Sequence, residues 1–320
     1  MTDATLLSLA EAIDALASPY AFERYSHLTG ENMLVVDFRR SAAAPNSAAA
    51  PNSAAALDSA AALRAKIQLA ELPCPSIAIG APGIAKQHQE WIQAFDLVLD
   101  DLAQLPAIAK TIQSNPIASL AMVQLLRHNE TLSVHRGLIA ESLVYSTLQS
   151  GPEFSAWLRD RKPPRTPEPC AEPAVSLLRD GARLHITLNR PDRRNAFSAE
   201  MRDGFVEALQ VVLSDPSIEE VVLRGAGPAF CSGGDLAEFG TLPDPATAHV
   251  IRSTRNPARL IARCADRVRC ESFPRSRREC APSAIPVSGC PRCRWGSCLG
   301  RVEASVCCDG SAASEPTIWH

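Results

Sequence analysis

The sequence predicts an α/β protein. Three observations carry that prediction: short apolar runs of strand length recur in both halves, helical 3.6-residue periods fall between them, and the composition is globular. The chain has 320 residues, 46% hydrophobic and 21% charged, enough for one large or two ordinary domains. Net charge is only -3 and the arginines are scattered through both halves, so no nucleic-acid partner is expected. The first residues carry Asp3, Glu11 and Asp14 where a signal peptide would be basic and then apolar. Purely apolar stretches reach about half the length of a membrane span. A cytoplasmic chain with no membrane partner is the expectation.

Residues 4–17 place Leu6, Leu9, Ala10, Ile13 and Leu16 on one side of a helical period. MLVVDF at 33–38 reads as a buried strand. A six-residue repeat follows: SAAAPN at 41 and 47, SAAALD at 53 and SAAALR at 59. Pro45 and Pro51 bar a helix through the first two copies, so 41–56 is read as a low-complexity insertion. Leu57 and Leu63 let the later copies join a helix running to about Leu72. PCPSIAIG (73–80) and FDLVLDD (95–101) are strand candidates around a helix containing Trp91, and further helices are expected at 101–112, 116–128 and 136–150. Residues 1–156 therefore read as an N-terminal α-rich domain with a few strands, and 157–173 as a proline-rich linker.

The second domain is expected over 174–268. ARLHITLNR alternates Leu184, Ile186 and Leu188 inward as a half-buried strand, and 198–213 sets Met201, Phe205, Ala208, Leu209 and Val212 at helical spacing behind an N-cap at Ser198. IEEVVLRG (218–225) is the next strand, followed at once by GAGPAFCSGGDLAEF. Small residues there let a ligand approach the backbone. Gly233 and Gly234 are expected to present peptide N–H groups, with a helix starting near Asp235 adding its positive end, an arrangement suited to an oxyanion. Each residue also has a plainer reading. Gly233 and Gly234 make a strand-to-helix turn, Asp235 is an N-cap, Arg193 and Arg194 are solvated loop charges, and Cys231 is a small buried residue.

LNRPDRRNAFSAEM (188–201) and AFCSGGDL (229–236), in this order and separation, resemble the two leading motifs of the crotonase (enoyl-CoA hydratase/isomerase) superfamily. The resemblance implies an incomplete crotonase-like β/α core behind the N-terminal domain. It implies that the backbone of Ala196 and the turn Cys231, Ser232, Gly233 and Gly234 hold the pantetheine and adenine portions of CoA, with Arg193 and Arg194 near its phosphates. Gly234 matches the position whose N–H supplies half of the family's oxyanion hole, and Asp235 is then structural. The substrate is an acyl-CoA, CoA entering as part of it, and no separate cofactor or metal is expected. The reaction implied is enoyl-CoA hydration or isomerisation. The alternatives are an inactive, acyl-CoA-binding remnant and an aryl-acetyl-CoA dioxygenase, since members of that kind also carry an N-terminal helical extension. PCPSIAIGAPGIA, FDLVLDD and the helices over 101–160 resemble, weakly, later parts of the same fold, so the first domain is read as a degenerate crotonase-like half or as a helical docking domain.

NPARLIARCADRV (256–268) is read as a helix, after which the pattern changes. Residues 269–320 hold arginine without lysine, dense Cys, Pro and Ser, and no apolar period. Eight of the eleven cysteines fall at or after Cys264. This tail is expected to be irregular and to follow a frameshift or truncation near 268, with the family's second oxyanion segment and catalytic acids missing. Family members trimerise through elements not found here, so a homo-oligomer is a weak expectation. A zinc site at Cys290, Cys293 and Cys298 with Cys307 or Cys308 is the rival reading, with only one proper CxxC half-site.

Overall fold

A computed structural model describes residues 5–42, 60–80, 86–162, 171–241 and 243–270. They fall into two compact units, the first ending at His128 and the second beginning at Asn129. Residues 43–59 of the repeat, and the expected tail from residue 271 onward with the cysteines it carries, lie outside the described residues; residues 269 and 270 of that expected tail are strand rather than irregular.

The first unit is built on a parallel sheet of β1 (Leu6–Leu7), β2 (Leu34–Asp37), β3 (Ser76–Ile79) and β4 (Leu97–Leu99), lying side by side in chain order. Every residue of LVVD and SIAI is buried, as a parallel sheet covered on both faces requires. The two-residue period divides those side chains between two cores. Leu34, Val36 and Ala78 meet α1 (Leu9–Ala17), α4 (Ala60–Glu71) and the Trp91 of α5 (Lys86–Ile92). Val35, Ile77 and Ile79 meet α6 (Leu105–Ser114) on the opposite face. Short α2 (Ala21–Arg24) and α3 (Phe38–Ala42) complete the connections. From α7 (Pro116–Asn129), Arg127 makes a two-pronged ion pair with Asp96 at 2.8 and 2.6 Å and donates to the carbonyls of Leu72 and Cys74. The few strands expected in this α-rich first domain thus lie together in one parallel sheet covered by its helices. The first helix starts at Leu9, not residue 4, because Leu6 and Leu7 pair with Val35 and Val36 as an edge strand. Ser8 and Glu11 then close a reciprocal cap on α1.

The second unit pairs β5 (Val175–Asp180) antiparallel to β6 (Arg183–Leu188), with β7 (Glu220–Gly225) and β8 (Val268–Cys270) following in parallel. Ile186, Val221 and Leu223 face Met201, Phe205, Leu209 and Val212 of α10 (Ala199–Ser214), the stripe expected from the sequence, with Ser198 as its N-cap. The helices α8 (Val134–Gln149), α9 (Pro152–Asp160), α11 (Pro245–Thr254) and α12 (Pro257–Arg263) belong to the same unit. The units therefore divide upstream of the proline-rich segment, because α8 packs on α11. Arg252 donates to the Ser142 hydroxyl and carbonyl and to Ser146 Oγ, and Arg161 donates to the carbonyls of Leu236 and Phe239. In this unit β5, α11 and β8 were not anticipated, the helix read over 256–268 stopping at Arg263 before β8.

Candidate functional site

Where β6 ends, the chain turns back through residues 189–198. Asn195 sits at the centre of that loop, fully buried at 0% exposure. Its Oδ1 accepts the Arg190 N–H at 2.8 Å and its own N–H returns to the Arg190 carbonyl at 2.8 Å. Its Nδ2 donates to the carbonyls of Ala226 and Ala229, at 2.9 and 2.8 Å. One amide side chain thereby ties the loop after β6 to the loop after β7. The geometry needs consecutive left-handed residues, Arg194 (φ 52) and Asn195 (φ 55), and asparagine tolerates that region better than most. At the exit of β7, a Cβ on Gly225 would lie 2.4 Å from the Phe230 carbonyl oxygen and 2.7 Å from Asn195 Nδ2. Only glycine lets the two loops close.

The turn 231–235 lies against the same loop. Phe197 bridges Gly234 in parallel: its N–H donates to the Gly233 carbonyl at 2.7 Å, and its carbonyl accepts the Asp235 N–H at 3.2 Å. Because the bridge uses the groups flanking Gly234, that residue's own N–H lies on the side of the turn away from Phe197. Gly233, at φ 95, is buried and donates its N–H to the Cys231 sulfur at 3.4 Å. The sequence expectation of two presented N–H groups is thus corrected at Gly233. Cys231 is buried at 3% exposure.

Asp235 holds the turn twice. Oδ1 accepts the Ala237 N–H at 2.9 Å, and Oδ2 pairs with Arg193 at 2.8 Å. Arg193, expected beside CoA phosphates, is thus committed through one guanidinium nitrogen to Asp235. Ser232 Oγ donates to the Arg193 carbonyl at 3.4 Å, and the Ala196 N–H to the same carbonyl at 3.1 Å. The helix expected from Asp235 is a single 3₁₀ turn, Leu236–Glu238, too short to sum an appreciable macrodipole. Glu238 accepts the Ala199 N–H at 2.8 Å at the start of α10. Partial burial raises its carboxyl above the ordinary range, with the Asp235 charge adding to the rise against the lowering by the Ala199 N–H. Arg193, Arg194, Ala196 and residues 231–235 are therefore brought together. Asn195, Gly225 and Glu238 complete the assembly and were not singled out from sequence. Among the described residues no group of three His, Cys, Asp or Glu side chains is placed to hold a metal, and no described helix is long and apolar enough to cross a membrane.

One comparison with known proteins falls on the same stretch. The family model described as enoyl-CoA hydratase/isomerase matches residues 180–261. A protein of Mycobacterium tuberculosis named "Probable enoyl-CoA hydratase" is 46% identical over 68 residues, 21% of this chain and 27% of its own length. The 1,2-epoxyphenylacetyl-CoA isomerase of Escherichia coli is 42% identical over 60 residues, 19% of this chain and 23% of its own length. A solved enoyl-CoA hydratase/carnithine racemase of Magnetospirillum magneticum shares 36% identity over 31% of this chain and 39% of that one, at a TM-score of 0.28. The chain spans about a quarter of the length of the curated relatives it matches. Residues 180–261 of the chain are thus similar to the enoyl-CoA hydratase/isomerase family, and both motifs fold onto one another inside that matched segment.

Proposed function

We propose that residues 188–201 and 225–239 form an acyl-CoA thioester site of the enoyl-CoA hydratase/isomerase type, with the Gly234 N–H as one donor to the thioester oxygen. The observation that carries this reading is the Phe197–Gly234 bridge, which sets the two family motifs edge to edge. In such a site the loop backbone at Ala196 and the turn 231–234 take the CoA portion, Arg194 and the uncommitted side of Arg193 face its phosphates, and Gly234 stabilises negative charge developing on the carbonyl oxygen. CoA enters as part of the substrate.

A second reading, binding without turnover, is favoured by one specific observation. Both carboxylates of the turn already hold backbone: Asp235 caps Ala237 and pairs with Arg193, and Glu238 caps Ala199. Titrating crotonyl-CoA into the purified full chain tests binding, and hydration of crotonyl-CoA, followed by loss of its enoyl absorbance, separates turnover from binding alone. Saturable binding with hydration supports the enzyme, and saturable binding without it supports the second reading. Oxygen uptake with an aryl-acetyl-CoA identifies the dioxygenase alternative. Absence of saturable binding defeats all three.

A further inference from the structure

Helices α8, α11 and α12 enclose a cleft away from the motif turn, with a volume of about 220 Å³ including its open mouth and lined by His135, Leu138, Arg252, Asn256 and Arg259 among others. Its floor has room for about one water molecule. The lining is basic and carries no carboxylate. Arg259 Nε is buried without a hydrogen-bond partner. Arg252 is held in place by Ser142 and Ser146 and by the Tyr145 ring, 4.8 Å from its guanidinium carbon. Its Nη1 has no partner among the described residues. Neither arginine makes a salt bridge among those residues. Two guanidinium groups around one small concavity, one with a buried orphan N–H, are costly unless an acceptor enters. Glu141 of α8 attracts the Arg252 guanidinium, so the charge that a neutral ligand would leave uncompensated is that of Arg259, and a cation is disfavoured by the positive lining.

We propose that this cleft is a site for a small oxyanion, a phosphate or a carboxylate, with one oxygen on the floor against Arg259 and the remainder in the mouth between Arg252 and His135. Planar guanidinium forks match such groups. The site does not depend on the acyl-CoA reading. Isothermal titration of the full chain with inorganic phosphate, and separately with acetate, at constant ionic strength set by sodium chloride, decides it. Saturable binding of either anion is expected, weakened about tenfold or more in Arg259→Gln and less in His135→Gln. The stronger of the two anions identifies the class. No saturable binding of either anion to the wild type overturns the proposal, as does unchanged binding by Arg259→Gln. Circular dichroism checks folding. Should Arg259→Gln not fold, Arg259→Lys keeps the charge and removes the fork, and wild-type affinity in that variant overturns the proposal equally.

Discussion

Replacing Asn195 by alanine removes the one side chain that joins the loops after β6 and β7. The Arg190 N–H would be left buried and unpaired, at about 1–3 kcal/mol. The carbonyls of Ala226 and Ala229 lose part-buried partners and regain some water, at about 0.5–1 kcal/mol each. Alanine at φ 55 adds about 1 kcal/mol of backbone strain. The sum is about 3–6 kcal/mol. Amide hydrogen exchange on peptides covering 186–201 and 225–236 measures this locally, which matters because two units need not unfold together. Protection in both peptides should fall by about two to four orders of magnitude, while peptides of the first unit stay unchanged. Asn195→Gly relieves the strain but not the lost bonds and should recover about 1 kcal/mol. Protection in Asn195→Ala within about threefold of wild type would refute the account of the loop.

Gly225→Ala forces a methyl group into two backbone carbonyls, so unfolding in urea should show a loss of about 3 kcal/mol or more. The Arg193–Asp235 pair is part-buried, and a double-mutant cycle with Arg193→Gln and Asp235→Asn should give a coupling of about 1–2 kcal/mol. A coupling near zero would return Arg193 to the role of a free phosphate ligand. In the first unit, desolvation pushes the Cys74 thiol from its ordinary 9.0 up to about 12, and the Tyr25 hydroxyl from 10.0 to about 12. Both are acids with raised values, so the unfolded chain releases their protons first. Their contribution is intact below about pH 9 and is lost as pH rises toward 12. Tyr25→Phe, which also removes a buried hydroxyl without a partner, should flatten that alkaline decline and leave stability at pH 7 unchanged or higher, read from thermal melts across pH 7–11. Cys74, Cys231 and Cys264 are buried, and native protein should withhold all three from a thiol reagent at pH 8 while unfolded protein yields them.

Strands buried on both faces were legible because LVVD and SIAI are continuous apolar runs, and α10 because its stripe holds a 3.6-residue period. β5 escaped notice because it is an edge strand whose Leu177 and Leu178 are exposed, leaving no alternation to read. The unit boundary was placed at the prolines, yet it is set by α8 packing on α11, a long-range contact with no local signature. Within the site, the two motifs and the small residues of the turn were visible as residue types. The role of Asn195 lies in a left-handed backbone and three side-chain hydrogen bonds. Arg193 had a plain reading as a loop charge, and Glu238 was not singled out, because their partners, Asp235 and the Ala199 N–H, are distant in sequence. The turn's second N–H was misread because the sulfur that takes it, two residues earlier, is turned inward only in the fold.

Amide hydrogen exchange with and without saturating crotonyl-CoA tests whether the loop at 193–198 and the turn at 231–235 together hold an acyl-CoA. Slowed exchange is expected in peptides containing Ala196 and Gly234, together and saturably, with β1 to β4 unaffected. Exchange that stays the same in both peptides while crotonyl-CoA is present in excess, or protection confined to the first unit, would contradict that reading.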